Sequence, residues 1–393
     1  MMKLSNRVLE MEESVTLAAS ARAAALKAEG RDILSLTLGE PDFTTPENIQ
    51  KAAIAAIQDG KASFYTAASG LPALKDAISS YMETFYGYSV PRNQVVVATG
   101  AKFILYAAFA TLLNPGDEVI IPTPCWVSYV DQVKMVDAVP VTFQTTEAND
   151  FKATVEQLEA ARTEKTKLIL LNSPSNPTGM IYSREELEAI GAWALEHDIL
   201  ILADDIYGRL VYNGHQFTAI SSLSDALRKQ TIVVNGVSKT YAMTGWRVGF
   251  AVAEPEIIAG MAKIISQTTS NLTAVSQYAA IEALTGDQTS IETMRQAFEE
   301  RLNTIYPLLA EIPGFEVIKP QGAFYLFPNV KKAMEMKGFT DVTDFTNALL
   351  EEAEVALVTG AGFGAPENIR LSYASDMDTL KEAVRRIKAY MEA

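Results

Sequence analysis

A single lysine, Lys239, stands between two strand-like runs in the stretch Val233-Val234-Asn235-Gly236-Val237-Ser238-Lys239-Thr240-Tyr241-Ala242-Met243-Thr244-Gly245-Trp246-Arg247-Val248-Gly249-Phe250. The β-branched run Thr231 to Val234 and the run Val248 to Val252 read as buried strands, and the intervening glycines break them. Lys239 therefore lies on a connection close to a core. Apolar surroundings and a second cation, Arg247, disfavour its ammonium form and make it a usable amine nucleophile toward a carbonyl. A solvated surface lysine is the commoner fate of any one lysine. Two adjacent acids, Asp204 and Asp205, follow the continuous apolar run Ile199 to Ala203, which is expected only in a sheet covered on both faces. Acids at the carboxyl end of such a strand sit where open α/β sheets bind ligands.

The lysine stretch resembles the Schiff-base segment of the class I aminotransferases, pyridoxal-phosphate enzymes of fold type I, whose pattern is S-K-x-x-A-M-T-G-W-R-x-G. Asn172-Ser173-Pro174-Ser175-Asn176-Pro177-Thr178-Gly179 is similar to a second family pattern, N-x-P-x-N-P-T-G. The resemblance implies pyridoxal 5'-phosphate as cofactor, with Lys239 as its Schiff-base partner and as the acid and base of the reaction. It implies Asp204 at the ring nitrogen, and Asn176 and Tyr207 at the ring oxygen. Without the family, Asn176 reads as an Asx-turn. The family more often has D-E-I-Y where this chain has Asp204-Asp205-Ile206-Tyr207, so Asp205 is a conservative departure.

The elements around these residues follow the same order. An alanine-rich helix is expected over residues 14 to 29, then a short strand from Ile33 to Leu38 that ends in the turn Gly39-Glu40-Pro41-Asp42-Phe43. A similar segment in the family lies over the active site, with its glycine at the substrate carboxylate; a plain turn is the equal alternative. A helix is expected from Pro46 to Asp59 and another from Gly70-Leu71-Pro72 onward. Tyr65, between them, is a half-buried aromatic on the residues alone. The resemblance has it reach the phosphate of a neighbouring subunit, which implies at least a homodimer.

Val95 to Ala98 reads as a strand, and Thr99-Gly100-Ala101-Lys102 opens a helix whose free N–H groups would cradle a phosphate. By the resemblance Arg247 and Ser238 join Gly100, Ala101 and Lys102 there. The strand around Val119 to Pro122 delivers Trp126, whose indole either stacks on a ring or packs in the core. Past residue 253 the strand and helix alternation fades: a long helical region is expected over 256–283, another helix from near Ser290, and hairpin-like pieces at Phe315 to Lys319 and Gly322 to Phe327. Asn368 to Tyr373 is an alternating strand carrying Arg370. A strand arginine is usually a solvated edge residue, whereas the family places its α-carboxylate arginine in this R-x-S context.

The expected fold is therefore α/β, a fold-type I PLP-transferase. A large domain over 46–290 has a mostly parallel sheet covered by helices, and a smaller α+β domain comes from 1–45 and 291–393. The implied reaction is transamination, with aspartate and 2-oxoglutarate giving oxaloacetate and glutamate. The chain looks most like the bacterial aspartate aminotransferase branch, where Lys102 reads the distal carboxylate and Ser14 and Thr16 match hydroxyl residues near that pocket; Lys102 as a phosphate-side charge is the alternative. An aromatic or broad-specificity aminotransferase is the runner-up. A carbon-sulfur lyase or decarboxylating synthase on the same fold would retain most of these residues.

Composition bounds the other classes. The 393 residues are 48% hydrophobic and 21% charged, which is ordinary globular composition for more than one lobe. A formal net charge of −15 argues against nucleic-acid or anionic-membrane partners, and with them a DNA-binding regulator. The N-terminal segment, with Lys3, Arg7, Glu10, Glu12 and Glu13, lacks the apolar core of a secretory signal, so a cytoplasmic location is expected. The longest apolar run, 102–113, is shorter than the ~20 residues of a membrane span. One cysteine, Cys125, and two histidines, His197 and His215, leave too few ligands for a zinc cluster and too little for a Ser-His-Asp triad.

Overall fold

In a computed structural model, residues 4–9, 11 and 13–393 are described; Lys3, Glu10 and Glu12 of the N-terminal reading lie outside them. Seven strands form the central sheet: β1 (Val95–Thr99), β2 (Glu118–Thr123), β3 (Val139–Gln144), β4 (Thr166–Asn172), β5 (Leu200–Asp204), β6 (Thr231–Gly236) and β7 (Val248–Val252). Their spatial order is β1-β7-β6-β5-β4-β2-β3. All neighbours are parallel except β7, which runs antiparallel to both β1 and β6. Every residue of β6 and β7 is buried, as their unbroken apolar character requires. Helices Pro72–Tyr86 and Ala274–Thr285 cover one face, and Ala101–Leu112 and Pro255–Thr268 the other.

The reversed strand is what concentrates chemistry at one edge. Thr99 pairs with Val248, and Gly236 with Gly249, so the start of β7 lies beside the carboxyl ends of β1 and β6. Asn172 pairs with Asp204, and Asp204 with Val234. The Gly100 turn, Arg247, Lys239, Asp204 and Asn172 consequently share one rim, where a parallel sheet leaves its ligand crevice.

The C-terminal region builds a second core around Phe298, Phe324, Phe345, Leu371 and Leu380, joined by Leu36, Tyr207 and Tyr212. Helix Thr289–Ala310 links the two cores: Ile291 and Met294 face the sheet lobe, while Phe298, Leu302, Ile305 and Leu309 face the other. Small ladders complete it. Leu34–Ser35 pairs in parallel with Val355–Ala356, and Ile369–Ser372 lies between Val358–Thr359 and Tyr325–Leu326.

Four local expectations are corrected. The strand expected over Ile33 to Leu38 shortens to Leu34–Ser35, because the Thr37 carbonyl accepts from Arg370 Nη2 at 2.8 Å instead of from a ladder. The helical region 256–283 divides at 269–273, where Ser270 adopts φ +64° and Asn271 Nδ2 donates to the Leu272 carbonyl, side-chain competition that ends a helix. The hairpin pieces reduce to Tyr325–Leu326 and isolated bridges such as Glu316–Asn329, since Ala323 takes φ +59° and gives its carbonyl to Tyr212 and Tyr373 hydroxyls. Strand β3 went unrecognised in the sequence because Pro140 interrupts it, and its edge position tolerates that.

Candidate active site

A cavity of about 370 Å³ opens between the sheet rim and the second core. Lys239 enters from the β6–β7 connection, half-buried, and its Nζ donates to the Gly39 carbonyl at 2.5 Å. Burial pushes its ammonium down to about 8; Glu40 opposes this, while Arg247 and Arg370 add to it. An amine so placed is a nucleophile near neutral pH.

Asp204 ends β5 with its carboxylate in the cavity wall. Tyr129 Oη donates to Oδ2 at 2.7 Å and the Ile206 N–H to Oδ1 at 3.3 Å. Burial nevertheless lifts its carboxyl to about 6, so a cation placed beside it would find a ready counter-charge. Asp205 faces the opposite side, accepting from Tyr86 Oη at 3.0 Å, and burial raises its carboxyl well above the usual range. The strand alternation separates the two acids: only the first meets the cavity.

Arg370 is 1% exposed and has no carboxylate partner among the described residues. Its Nη1 donates to Asn176 Oδ1 at 3.0 Å and its Nη2 to the Thr37 carbonyl, while Nε is buried without a partner. A buried guanidinium with a donor left over can bind an anion such as a carboxylate. Asn176, whose backbone N–H donates to Asn172 Oδ1 at 2.8 Å, is thereby left its amide N–H groups for the cavity. Tyr207 Oη lies 2.8 Å from Tyr325 Oη, and burial keeps both phenols protonated.

At the other end Gly100 caps helix Ala101–Leu112 with φ +83°, and a Cβ there would stand 2.2 Å from Arg247 Nη2. The helix N-terminus and a guanidinium thus close on one small space, a cradle for a dianion. Ala101, Ser238 and Arg247 line it. Lys102 Nζ sits 4.7 Å over the Trp126 ring, and burial together with Arg247 lowers its ammonium. Ser14 and Thr16 close the cavity from the N-terminal helix, with Thr16 Oγ1 buried and without a partner among the described residues.

Of the residues that the family resemblance places at the cofactor or the substrate, all but Gly100 and Tyr65 line this cavity, and Gly100 backs it. Tyr65 is 90% exposed and outside it, next in the chain to exposed Phe64. Five wall residues were not given a role: Leu17 and Ile206, which are apolar, and Asn172, Tyr129 and Tyr325, which are polar. Asn172 opens the quoted proline-rich loop, and its Nδ2 donates to the Asp204 carbonyl at 2.8 Å. Tyr129 lies one helical turn beyond Trp126, and Tyr325 lay in a segment read only as strand.

Fold and site together combine an α/β sheet rim with a cavity lined by a lysine of depressed basicity and by separate cationic groups. Residues 31–387 match the family described as aminotransferase class I and II, and the chain belongs to that family. It is 75% identical to the asparagine–oxo-acid transaminase of Streptococcus mutans, with 100% of both chains covered. It is 52% identical to the aspartate aminotransferase of Geobacillus stearothermophilus, again over 100% of each. The crystal structure of the aspartate aminotransferase from Rhizobium meliloti matches with a TM-score of 0.95 at 40% identity, covering 100% of this chain and 99% of that one. The protein is an aminotransferase, transferring an amino group between an amino acid and a 2-oxo acid.

Proposed function

We propose that this aminotransferase uses pyridoxal 5'-phosphate to carry the amino group of aspartate to 2-oxoglutarate, giving oxaloacetate and glutamate. The observation that carries the reading is one cavity lined by a depressed lysine amine and by two cations, Arg370 and Lys102, that have no carboxylate partner among the described residues. Two cations suit the two carboxylates of aspartate.

The cavity fits the cofactor on grounds of its own donors and acceptors. Gly100, which admits no Cβ, together with Ala101, Ser238 and Arg247, would hold the phosphate. Asp204 would keep the ring nitrogen protonated, the Asn176 amide and the Tyr207 hydroxyl would meet the ring oxygen, and Trp126 would lie against the ring. When bound, pyridoxal phosphate supplies a carbonyl carbon for amines and a ring that accepts the electron pair released at the amino acid's Cα. The chain's own groups do the rest. Lys239 Nζ would be the amine that holds the cofactor, and it is placed to take a proton from the substrate Cα and return it. Arg370 fixes the α-carboxylate so that this proton faces Nζ, and Gly39 lies over the same end.

A second reading, asparagine as donor, draws on the 75% relative's name and on Thr16, whose buried unpartnered hydroxyl beside Ser14 suits a side-chain amide. We further read the enzyme as a cytoplasmic homodimer in which the exposed Tyr65 of one copy completes the phosphate site of the other. The lobes implied by this reading are 46–290 and the two terminal segments.

The test is a half-reaction screen. Loaded enzyme is mixed with single amino acids, and conversion of the cofactor from its aldehyde to its amine form is followed by absorbance. Aspartate should convert it fastest, or asparagine on the second reading. Phenylalanine or tyrosine outpacing both would overturn the proposal.

A further inference from the structure

Tyr325 touches more of the site than any role so far explains. The residue is fully buried in the cavity wall, and its hydroxyl lies 2.8 Å from Tyr207 Oη. Its ring lies 4.5 Å beneath the Arg370 guanidinium. The same hydroxyl fills the space next to Gly39, where a Cβ would come within 2.7 Å, and the Gly39 carbonyl in turn holds Lys239 Nζ. The carboxylate arginine and the ring-oxygen tyrosine meet this one side chain directly, and the nucleophile reaches it through Gly39.

Its position is fixed from behind. Ala323, two residues earlier, is held at φ +59° with its carbonyl accepting from both Tyr212 and Tyr373 hydroxyls. Phe324 packs on the Tyr325 ring at 4.9 Å and stacks on Phe298. The ring therefore has little freedom to turn away from Arg370.

A phenol has one proton and two lone pairs. If Tyr207 gave its proton to Tyr325, it would have none for a ligand oxygen in the cavity. The one arrangement that leaves a donor facing the cavity runs from Tyr325 O–H to Tyr207 oxygen, and from Tyr207 O–H into the site. Hydrogen bonds in such a chain strengthen one another in a low-dielectric interior. The ring face, meanwhile, offers the buried guanidinium a negative surface that no carboxylate supplies.

We infer that Tyr325 is a positioning residue with two separable parts: its hydroxyl turns Tyr207 into a donor aimed at the cofactor's ring oxygen, and its ring supports Arg370 for the substrate carboxylate. This rests on the functional reading above, and the wild-type enzyme separates the two failures. A wild type that shows no visible band with pyridoxal phosphate, or no conversion by amino acids, sinks that reading; a normal wild type leaves only Tyr325 on trial.

The experiment uses loaded Tyr325→Phe and Tyr325→Met enzymes, with thermal melts to verify folding. One readout is the pH midpoint of the visible absorption band. The other is the dissociation constant of succinate, a four-carbon dicarboxylate that cannot react. Tyr207 donating to the ring oxygen favours the more anionic state, so Tyr325→Phe should move the midpoint upward by about 0.3–1 unit, the net worth of one neutral hydrogen bond. Its succinate affinity should stay at the wild-type value, because the ring remains. Tyr325→Met should show the same midpoint shift and bind succinate about threefold to thirtyfold more weakly, the range for a cation over an aromatic face. A Tyr325→Phe midpoint equal to wild type overturns the hydroxyl's part. Weakened succinate binding in Tyr325→Phe, or wild-type binding in Tyr325→Met, overturns the ring's part. Should the methionine variant fail to fold, Tyr325→Leu, which also lacks the ring, takes its place in the succinate titration.

Discussion

Replacing Asp204 with asparagine should stabilise the cofactor-free protein at alkaline pH while removing most of its activity. Burial lifts the Asp204 carboxyl from 3.8 to about 6. The folded chain thus holds this proton more tightly than the unfolded chain, and stability from this group falls as pH rises from about 4 through 6. Two pH units at 1.36 kcal/mol each give a full loss of about 3 kcal/mol, of which roughly 1.5 kcal/mol falls between pH 5 and 8. An asparagine has no such titration. It can keep the Tyr129 hydroxyl on its oxygen, but its amide N–H groups then meet the Ile206 N–H, a cost of about 1–2 kcal/mol. The variant should be about 1–2 kcal/mol more stable than wild type at pH 8, and the advantage should shrink by about 1.5 kcal/mol at pH 5. Urea denaturation of the two cofactor-free proteins at both pH values reads this directly. With cofactor, turnover should fall about 10²–10³-fold, the scale for losing one preorganised electrostatic partner. Asp205→Asn, facing Tyr86 instead of the cavity, should cost far less. Parallel stability curves for wild type and Asp204→Asn, or equal turnover losses in the two variants, would refute the reasoning.

Three further outcomes follow from the same geometry. Lys102→Ala should weaken the aspartate half-reaction by about 1.5–3 kcal/mol, the range for a charge-assisted hydrogen bond, and leave phenylalanine nearly untouched; a uniform loss with faster cofactor release would assign Lys102 to the phosphate instead. Gly100→Ala places a Cβ 2.2 Å from Arg247 Nη2 at a backbone angle that disfavours it, so cofactor affinity measured by equilibrium dialysis should drop by about 1–3 kcal/mol. In the cofactor-free protein, reductive labelling of Lys239 by a small aldehyde should reach half its maximal rate near pH 8, and a midpoint near 10.5 would show that burial does not depress this amine.

The sequence made the rim of the site readable because its chemistry is local. Lys239, Asp204 and Gly100 each stand within a few residues of a strand end, where breaks and apolar runs announce the boundary. Arg370 was readable through its motif, but its burial was not: an alternating strand looks half-solvated until Thr37 and Tyr325 are folded over it. Tyr129 and Tyr325 escaped because their meaning lies in contacts to residues 75 and 118 positions away, a separation that no local pattern encodes. Strand β3 and the helix break at 269–273 escaped for the opposite reason, since Pro140 and the run Thr268 to Asn271 each obey tertiary packing over the pattern around them. Asp204 and Asp205 were adjacent and equal as letters; strand alternation, visible only once β5 had its register, told them apart.

The central claim is that Lys239 is the amine that holds the cofactor. Borohydride reduction of the pyridoxal-phosphate-loaded wild type, followed by proteolysis and mass analysis of the trapped peptide, tests it most directly. One stable adduct on Lys239 is predicted, together with a Lys239→Ala protein that folds, binds the cofactor reversibly and yields no adduct. An adduct on another lysine, or a Lys239→Ala enzyme that still turns over aspartate or asparagine, would contradict it.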